Sequence, residues 1–425
     1  MAPTGESAGI AFAYPQVRYY LGTRVLTITA SEMQAVAVAW QVYGLTHRPL
    51  DLGLVGLAQF LPGILLFLAA GHAADRFPRR RILQACCGGF ALCSLLLLTL
   101  SLGHAGTPAP IYAVLLLNGT VRAFNGPAGQ AFLPLLVEAR DFPNTVAWNS
   151  SVFQASTIIG PVIGGVLYGI TNSPAPVYLC AAMEYLAALL LLAGIRTRKP
   201  QQARATEGGA VLDGIRYIRR NQIILGAISL DLFAVLLGGA VALLPVYARE
   251  ILHVGASGLG VLRAAPGLGA AGMSMLVAWR PIRKRAGATM LWCVAGFGAS
   301  TVVFGLSHNL ALSLVALTLI GAFDTVSVIV RHTLIQLSTP DHMRGRVSAV
   351  NMVFIGASNE VGQFESGVTA QWFGTVPAVV SGGVGAIAVV ALWAWRFPLL
   401  RRVDALTDTN PEEDAKIGGV RTGGG

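Results

Sequence analysis

Residues 71 to 81 of this 425-residue chain read Gly71-His72-Ala73-Ala74-Asp75-Arg76-Phe77-Pro78-Arg79-Arg80-Arg81, and they lie between two apolar runs, residues 51–71 and 82–103. A short arginine-rich loop between apolar runs of about twenty residues is typical of two membrane-spanning helices that are joined on the cytoplasmic side. The stretch therefore predicts a membrane hairpin. The same alternation of apolar runs and short loops continues along the chain.

The composition supports a membrane protein. Hydrophobic residues make up 54% of the chain and charged residues only 12%, whereas soluble domains carry about 25% charged residues. This balance excludes a soluble globular domain and an intrinsically disordered chain. The net charge of +10 comes largely from arginines in short loops, where they set membrane topology, so we do not expect nucleic acid as a partner.

The apolar runs predict an all-α polytopic membrane protein with twelve transmembrane helices. The predicted spans are residues 18–43, 51–71, 82–103, 110–135, 145–170, 176–195, 221–248, 258–279, 287–306, 310–337, 345–371 and 376–396. Six spans precede one long hydrophilic stretch and six follow it. The predicted organisation is an N-terminal segment, a first six-helix half, a linker, a second six-helix half and a disordered tail, at residues 1–17, 18–195, 196–220, 221–397 and 398–425.

The linker ends in an amphipathic pattern. Val211, Ile215 and Ile218 share one helical face, which predicts an interfacial helix on the membrane surface. Arginine and lysine concentrate in the loops after spans 2, 6, 8 and 10. By the positive-inside rule, we expect a multi-pass protein of the inner membrane with both termini in the cytoplasm.

The two halves repeat one another. Shifts of 204 and then 202 residues superpose small and basic residues in order: Pro62 on Pro266, Arg76 on Arg280, Asn149 on Asn351, and Gly160 on Gly362. Ordered coincidences of this kind indicate an internal duplication. Two six-helix pseudo-repeats joined by a cytoplasmic linker are typical of transporters.

The loop at residues 71–81 resembles the loop signature of the major facilitator superfamily, which is a glycine, then Ala-Asp-Arg, then paired basic residues. The matching residues are Gly71, Ala74, Asp75, Arg76, Arg79 and Arg80, while Pro78 stands where the commonest pattern has glycine. Membrane topology alone explains the arginines, but not the glycine and the aspartate at this spacing. The resemblance implies that Asp75 and Arg76 act in a conformational latch rather than in substrate contact.

Span 5 contains Gly160-Pro161-Val162-Ile163-Gly164-Gly165, a combination that bends helices and lets backbones pack closely. Ordinary small-residue packing is one interpretation. The run also resembles the span-5 motif of the exporting, antiporter branches of the superfamily. Residues 124–134 and 343–347 are similar to the branch that includes the enterobactin exporter and macrolide efflux proteins. The resemblance implies alternating access in the export direction and leaves the substrate open.

Ionisable residues near the middle of spans are candidates for function, because a charge at the bilayer centre costs about 2.5 to 3.5 kcal/mol. In the superfamily fold, spans 1, 4, 7 and 10 line the cavity, and these spans carry Glu32, Arg122, Asp231 and Asp324. Arg122 and Asp324 occupy equivalent positions in the two repeats, because the shift of 202 residues superposes them. We therefore expect them to face each other across the cavity. Glu32, Asp231 and Asp324 are proton-coupling candidates. Glu32 and Asp231 are each isolated acids in apolar stretches, and Glu32 is the first choice because we expect Asp324 to be tied to Arg122. A structural ion pair is the alternative for each.

Further candidates for the cavity wall, besides Arg122, are Gln34, Asn118, Phe124 and Phe323. Aromatic and amide groups together suit an amphiphilic organic compound better than a sugar. The five cysteines lie in apolar runs without nearby histidines, so we expect no metal site. No nucleophile-base pair and no phosphate-binding loop is apparent, so we expect no catalytic residues, no enzyme activity and no cofactor.

The sequence thus predicts a proton-coupled exporter of a small drug-like or siderophore-like compound. Its expected partners are this substrate, protons and the lipid bilayer, and we expect a monomer because the two halves already contain the pathway. One alternative is a proton-coupled importer of a small solute, which the span-5 motif disfavours. Another is a non-transporting membrane sensor on the same fold.

Overall fold

The computed structural model describes residues 10–103, 106–195, 210–282 and 285–403, and this part of the chain is helical. The helices are α1 (Pro15–Thr46), α2 (Pro49–Leu65), α3 (Phe67–Arg76), α4 (Arg79–Leu102), α5 (Ala109–Phe132), α6 (Phe142–Thr171), α7 (Ala175–Gly194), α8 (Ala210–Arg220), α9 (Gln222–Leu237), α10 (Leu244–Val246), α11 (Gly255–Trp279), α12 (Ala286–Leu306), α13 (Leu310–Leu337), α14 (Asp341–Phe373), α15 (Thr375–Arg396) and α16 (Pro398–Arg402). Between α9 and α11, a 3-10 turn at Ala240–Leu243 precedes α10 and a π-helical turn at Tyr247–Ile251 follows it.

The predicted fold class is confirmed, because each predicted span coincides with helical structure. In the described residues, eight helices are long and apolar enough to cross a membrane, counting α9 through the π-helical turn as one. The long helices α1 and α14, with 32 and 33 residues, are outside this group. Both carry charged residues within their length, which lowers their hydropathy.

Local sequence signals explain several helix ends. The side chains of Asn221 and Asn309 accept hydrogen bonds from backbone amides in the first turns of α9 and α13, at 2.8 to 3.3 Å. Such caps satisfy amides that have no partner within the helix. Helices α1 and α6 end at His47 and Asn172, which adopt the left-handed conformation with φ of 51° and 50°. Left-handed residues commonly end helices.

The chain divides into two compact units, and unit 1 comprises Met1–Ala205 and Ala242–Gly267. In unit 1, α1 packs against α6 and α7, and α4 packs against α5 and α7. One core cluster contains Tyr20, Phe132 and Leu192, and another contains Met33 and Tyr178. Unit 1 thus includes residues 242–267, which the sequence analysis assigned to the second half.

The start of α1 is fixed to the start of α6 within unit 1. The Tyr14 hydroxyl donates a hydrogen bond of 2.6 Å to Oδ2 of Asp141, and Arg140 lies 3.5 Å from the same oxygen. The hydrogen bond to the Asp141 carboxylate, together with its charge, raises the pKa of the Tyr14 hydroxyl. The phenol therefore stays a donor to Asp141 at physiological pH.

Unit 2 comprises Thr206–Val241 and Leu268–Gly425. Helix α12 packs against α13 and α15, and α9 packs against α14 and α15. Its core contains Met290, Val330 and Leu334. Helix α16 belongs to this core through Leu400, which is 1% exposed. The sequence predicts these residues as part of a disordered tail, whereas the apolar side chain of Leu400 keeps α16 on the protein. Residues 404–425 lie outside the described residues.

Helix α8 packs on the protein, and its predicted position on the membrane surface stays a prediction. Its Ile218 is buried in a cluster with Val347 and Val350 of α14. Asp213 accepts a hydrogen bond of 3.1 Å from Arg346, and the Tyr217 hydroxyl donates one of 2.7 Å to the Ser338 carbonyl. Ile215 and Ile218, the described apolar residues of this face, therefore pack against unit 2 itself; the rest of the linker, residues 196–209, lies outside the described residues.

Alanine substitutions at two glycines of α11 that lie three residues apart test the packing of unit 2. A Cβ atom at Gly269 would overlap the Thr318 carbonyl oxygen of α13, whereas a Cβ at Gly272 meets nothing within 4 Å. We expect Gly269→Ala to lower the free energy of unfolding by about 1 to 3 kcal/mol through overpacking. We expect Gly272→Ala, the matched control, to leave it unchanged or raise it, since alanine favours helices. Thermal unfolding in detergent measures both, and equal stability of the two variants would contradict this packing.

Candidate functional site

The loop between α3 and α4 fixes helix ends in unit 1. Arg79 donates a hydrogen bond of 3.0 Å to the Ala131 carbonyl in the last turn of α5. Arg80 donates one of 2.9 Å to the Leu192 carbonyl of α7 and another to the Ala193 carbonyl. Cations are favourable at helix C-termini, where carbonyl groups lack partners. These two arginines of the loop motif therefore have a structural role in addition to setting topology.

Arg76 and Gly71 of the loop motif are less constrained. Arg76 is exposed, and a Cβ at Gly71 would meet nothing within 4 Å. The side chain of Asp75 lies outside the described part of the structure. The latch role of Asp75 and Arg76 therefore stays a prediction.

The glycines of the span-5 motif let α6 pack closely in unit 1. A Cβ at Gly164 would lie 2.7 Å from the Cα atom of Met33 on α1, and a Cβ at Gly165 would lie 2.6 Å from the Ala256 carbonyl oxygen on α11. A Cβ at Gly160 would lie 2.7 Å from the Cβ atom of Glu32. Side chains larger than hydrogen at these positions would separate α6 from its neighbours.

Pro161 completes the same contact. Its carbonyl oxygen faces Gly260 of α11, where a Cβ would overlap it. Nearby, the Gln154 side chain of α6 donates a hydrogen bond of 2.8 Å to the Gly267 carbonyl. The motif residues Gly160, Pro161, Gly164 and Gly165 thus form the surface on which α1 and the first part of α11 pack.

Glu32 has a partner that the sequence analysis missed. Its Oε2 atom lies 3.6 Å from Nε of Arg263 on α11, and the two side chains are 27% and 28% exposed. The prediction that Glu32 is an isolated acid is therefore wrong. The sequence did contain a signal, because Arg263 is the only ionisable residue of the predicted span 258–279.

Asp231 is not isolated either. Its carboxylate contacts the guanidinium of Arg331 on α13, and the two side chains are 7% and 2% exposed. Nε of Arg331 has no hydrogen-bond partner among the described residues. A buried charge is tolerated when an opposite charge accompanies it, so each residue of this pair stabilises the ionised form of the other.

Asp324 lines a small pocket in unit 2, about the size of one water molecule. Asp231, Phe323 and Ser327 line the same pocket, with apolar side chains forming most of the remaining wall. The Ser327 hydroxyl is buried and has no partner in the part of the chain that the structure describes. Within that part, Asp324 itself makes no hydrogen bond or ion pair. Asp324 is thus the unpaired acid among the three candidates.

The structure places the remaining cavity candidates in different surroundings. Gln34 is buried and accepts a hydrogen bond of 2.6 Å from the Ser94 hydroxyl of α4, so it packs between helices instead of facing a cavity. Phe124 packs against the core cluster of unit 1 that contains Phe90 and Tyr185. Asn118 is buried in α5, and Arg122 is exposed on the same helix. Arg122 lies in unit 1 and Asp324 in unit 2, and their pairing stays a prediction.

Cysteine and metal chemistry gain no support from the described residues. All five cysteines are unpaired, and Cys86, Cys87 and Cys93 are buried. Across residues 10–103, 106–195, 210–282 and 285–403, no group of three histidine, cysteine or acidic side chains is arranged to hold a metal ion. The chemically distinctive features are therefore the three acids and the arginines beside two of them.

Known proteins resemble this chain along almost its whole membrane part. Residues 18–416 match the family described as transmembrane secretion effector. The staphyloferrin A transporter of Staphylococcus aureus (strain NCTC 8325 / PS 47) is 22% identical over 385 residues, covering 88% of this chain and 95% of that protein. The enterobactin exporter EntS of Citrobacter koseri is 27% identical over 344 residues, covering 79% and 81%. The resemblance stated from the sequence motifs is confirmed.

Solved structures support the same fold. A bacterial homolog of the human lysosomal transporter Spinster matches with a TM-score of 0.71 at 13% identity, covering 97% of this chain and 99% of that chain. At this identity the likeness concerns the fold alone, which is the major facilitator fold.

The buried pair of Asp231 and Arg331 can be tested by a double-mutant cycle. We expect Arg331→Ala to lower the free energy of unfolding by about 3 to 5 kcal/mol, because it leaves the buried Asp231 carboxylate without its counter-charge. Adding Asp231→Ala should recover a large part of this loss. Thermal unfolding of the wild type, both single variants and the double variant gives the coupling energy. Strict additivity of the two substitutions would contradict a direct ion pair.

Proposed function

Because this chain belongs to the transmembrane secretion effector family, we propose that it is a proton-coupled secondary exporter of a small amphiphilic organic compound. Members of this family are membrane transporters and not enzymes. The proposed mechanism is alternating access, in which substrate and proton sites near the bilayer midplane are open to one side at a time. The proposed location is the inner membrane, with both termini in the cytoplasm and the monomer as the working form.

The named relatives support the substrate class. One relative is named as an exporter of enterobactin and another as a transporter of staphyloferrin A, and both compounds are siderophores. We propose a siderophore-like or comparable drug-like molecule as the substrate of this chain. The export direction is supported by the family description and by the span-5 motif at Gly160–Gly165.

The observation that carries the proton-coupling proposal is the unpaired Asp324 in its pocket. Asp231 is neutralised by Arg331, and Glu32 lies beside Arg263. Protonating either of those acids would leave an arginine without its counter-charge, which is costly in a membrane. Asp324 can gain and lose a proton without breaking an ion pair among the described residues. It therefore replaces Glu32 as the first candidate for the coupling group.

The direction of transport separates the proposal from its alternatives. In inverted membrane vesicles that are acidified inside, an exporter coupled to proton exchange should accumulate substrate, and right-side-out vesicles should not. A proton-coupled importer should accumulate substrate in right-side-out vesicles with acid outside. A sensor should bind substrate and accumulate it in neither preparation.

Asp324→Asn tests the coupling group. The amide keeps the size of the side chain but cannot titrate, so we expect pH-driven accumulation to be lost while substrate binding and energy-independent exchange across the membrane persist. The matched control is Asp213→Asn, which removes the same charge from unit 2 outside the predicted spans and should retain pH-driven accumulation. If Asp324→Asn still builds a substrate gradient from a pH difference, Asp324 is not the coupling group, and the test passes to Glu32 and then Asp231.

A further inference from the structure

Arg263 combines three features that separate it from an ordinary structural arginine. It lies on α11 within a predicted span, and its Nε atom is 3.6 Å from the Glu32 carboxylate. Hydrogen bonds between arginine and carboxylate are about 2.7 to 2.9 Å long, so this pair attracts without a hydrogen bond. Among the described residues, the Arg263 guanidinium donates no hydrogen bond at all.

The Arg263 and Glu32 side chains are also accessible, at 28% and 27% exposure. Because exposing a charged pair to lipid is costly, we expect this accessible pair to face water. Arg331 shows the contrast within the same protein, since its side chain is 2% exposed and in contact with Asp231. The Arg331 side chain is buried in its ion pair, whereas the Arg263 side chain is partly exposed.

The helices pack closely beneath the pair: a Cβ at Gly160 would lie 2.7 Å from the Cβ atom of Glu32, and one at Gly260 would overlap the Pro161 carbonyl oxygen. A ligand would therefore reach the Arg263 guanidinium from the exposed side of the pair. A guanidinium is planar and offers two parallel N–H groups, which match the two oxygens of a carboxylate.

We propose that Arg263 binds the anionic group of the exported compound and that Glu32 is its internal competitor. The inference rests on the proposed export function and narrows it to organic anions that carry a carboxylate or a similar planar oxyanion. In the absence of substrate, Glu32 balances the charge of Arg263. An incoming anion accepts hydrogen bonds from Arg263 that Glu32 does not accept. It dissociates when Glu32 pairs with the guanidinium again. Glu32 thus makes the binding reversible.

Equilibrium binding to the purified full-length protein in lipid nanodiscs tests this site. The probes are 2-naphthoate, an aromatic carboxylate, and 2-naphthamide, its neutral counterpart of nearly equal size and shape. We expect the wild type to bind the carboxylate at least about tenfold more tightly than the amide, because charge-assisted hydrogen bonds contribute more than neutral ones. Arg263→Gln should remove this preference while leaving the affinity for the amide unchanged.

Two further variants keep the test decisive if Arg263→Gln does not fold. Glu32→Gln removes the competitor and should tighten carboxylate binding without changing amide binding. Arg263→Lys keeps the charge but loses the planar pair of donors, so its carboxylate affinity should fall between those of the wild type and Arg263→Gln. The matched control is Arg48→Gln, which removes an exposed arginine of the same unit outside the predicted spans and should bind both probes as the wild type does.

Three results would overturn the proposal: equal affinity of the wild type for the two probes, a preference that survives in the Arg263 variants, or weaker carboxylate binding in Glu32→Gln. Binding at equilibrium needs no proton gradient, so its outcome is separate from that of export. A retained carboxylate preference with no accumulation in vesicles would count against export alone. Accumulation without any carboxylate preference would count against Arg263 alone.

Discussion

The cost of placing a charged side chain inside a bilayer governs the functional part of this protein. At about 2.5 to 3.5 kcal/mol for each charge at the centre of a span, an acid or arginine there needs a counter-charge, water or a proton. The structure contains three different solutions. Asp231 and Arg331 form a buried ion pair, Glu32 and Arg263 form a loose and partly exposed pair, and Asp324 stands in a pocket without a counter-charge among the described residues. These solutions suit a structural contact, an anion site and a proton site, respectively.

Small residues make the second of these solutions possible. Gly160, Gly164 and Gly165 bring α6 against α1 and the first part of α11, so that Glu32 and Arg263 come from two helices to one place. Elsewhere in unit 1, Arg79 and Arg80 bind the last carbonyl groups of α5 and α7. Arg79 and Arg80 therefore cap helices and the span-5 glycines allow close packing, whereas the acids proposed for transport belong to no motif.

The fold and the family were predictable because apolar runs and short basic loops report directly on membrane spans, and each predicted span coincides with helical structure. The ion pairs were not predictable, since partners on different helices depend on how the helices rotate and pack. Asp324 and Arg331 share α13 in the sequence, yet Arg331 pairs with Asp231 of α9. The association of residues 242–267 with unit 1 likewise arises from backbone packing at glycines. Arg263 could have been found as the single charge of its span.

Alternating exposure of the charged sites to water is the central claim of this account, and labelling of a single cysteine at Val235 tests it most directly. Val235 lines the pocket of Asp324, and Val235→Cys would be made in a variant that lacks the five native cysteines. The account predicts that a membrane-impermeant thiol reagent modifies this cysteine from either side of the membrane, and that substrate changes the ratio of the two rates. Modification only by lipid-soluble reagents, or from one side regardless of substrate, would contradict it.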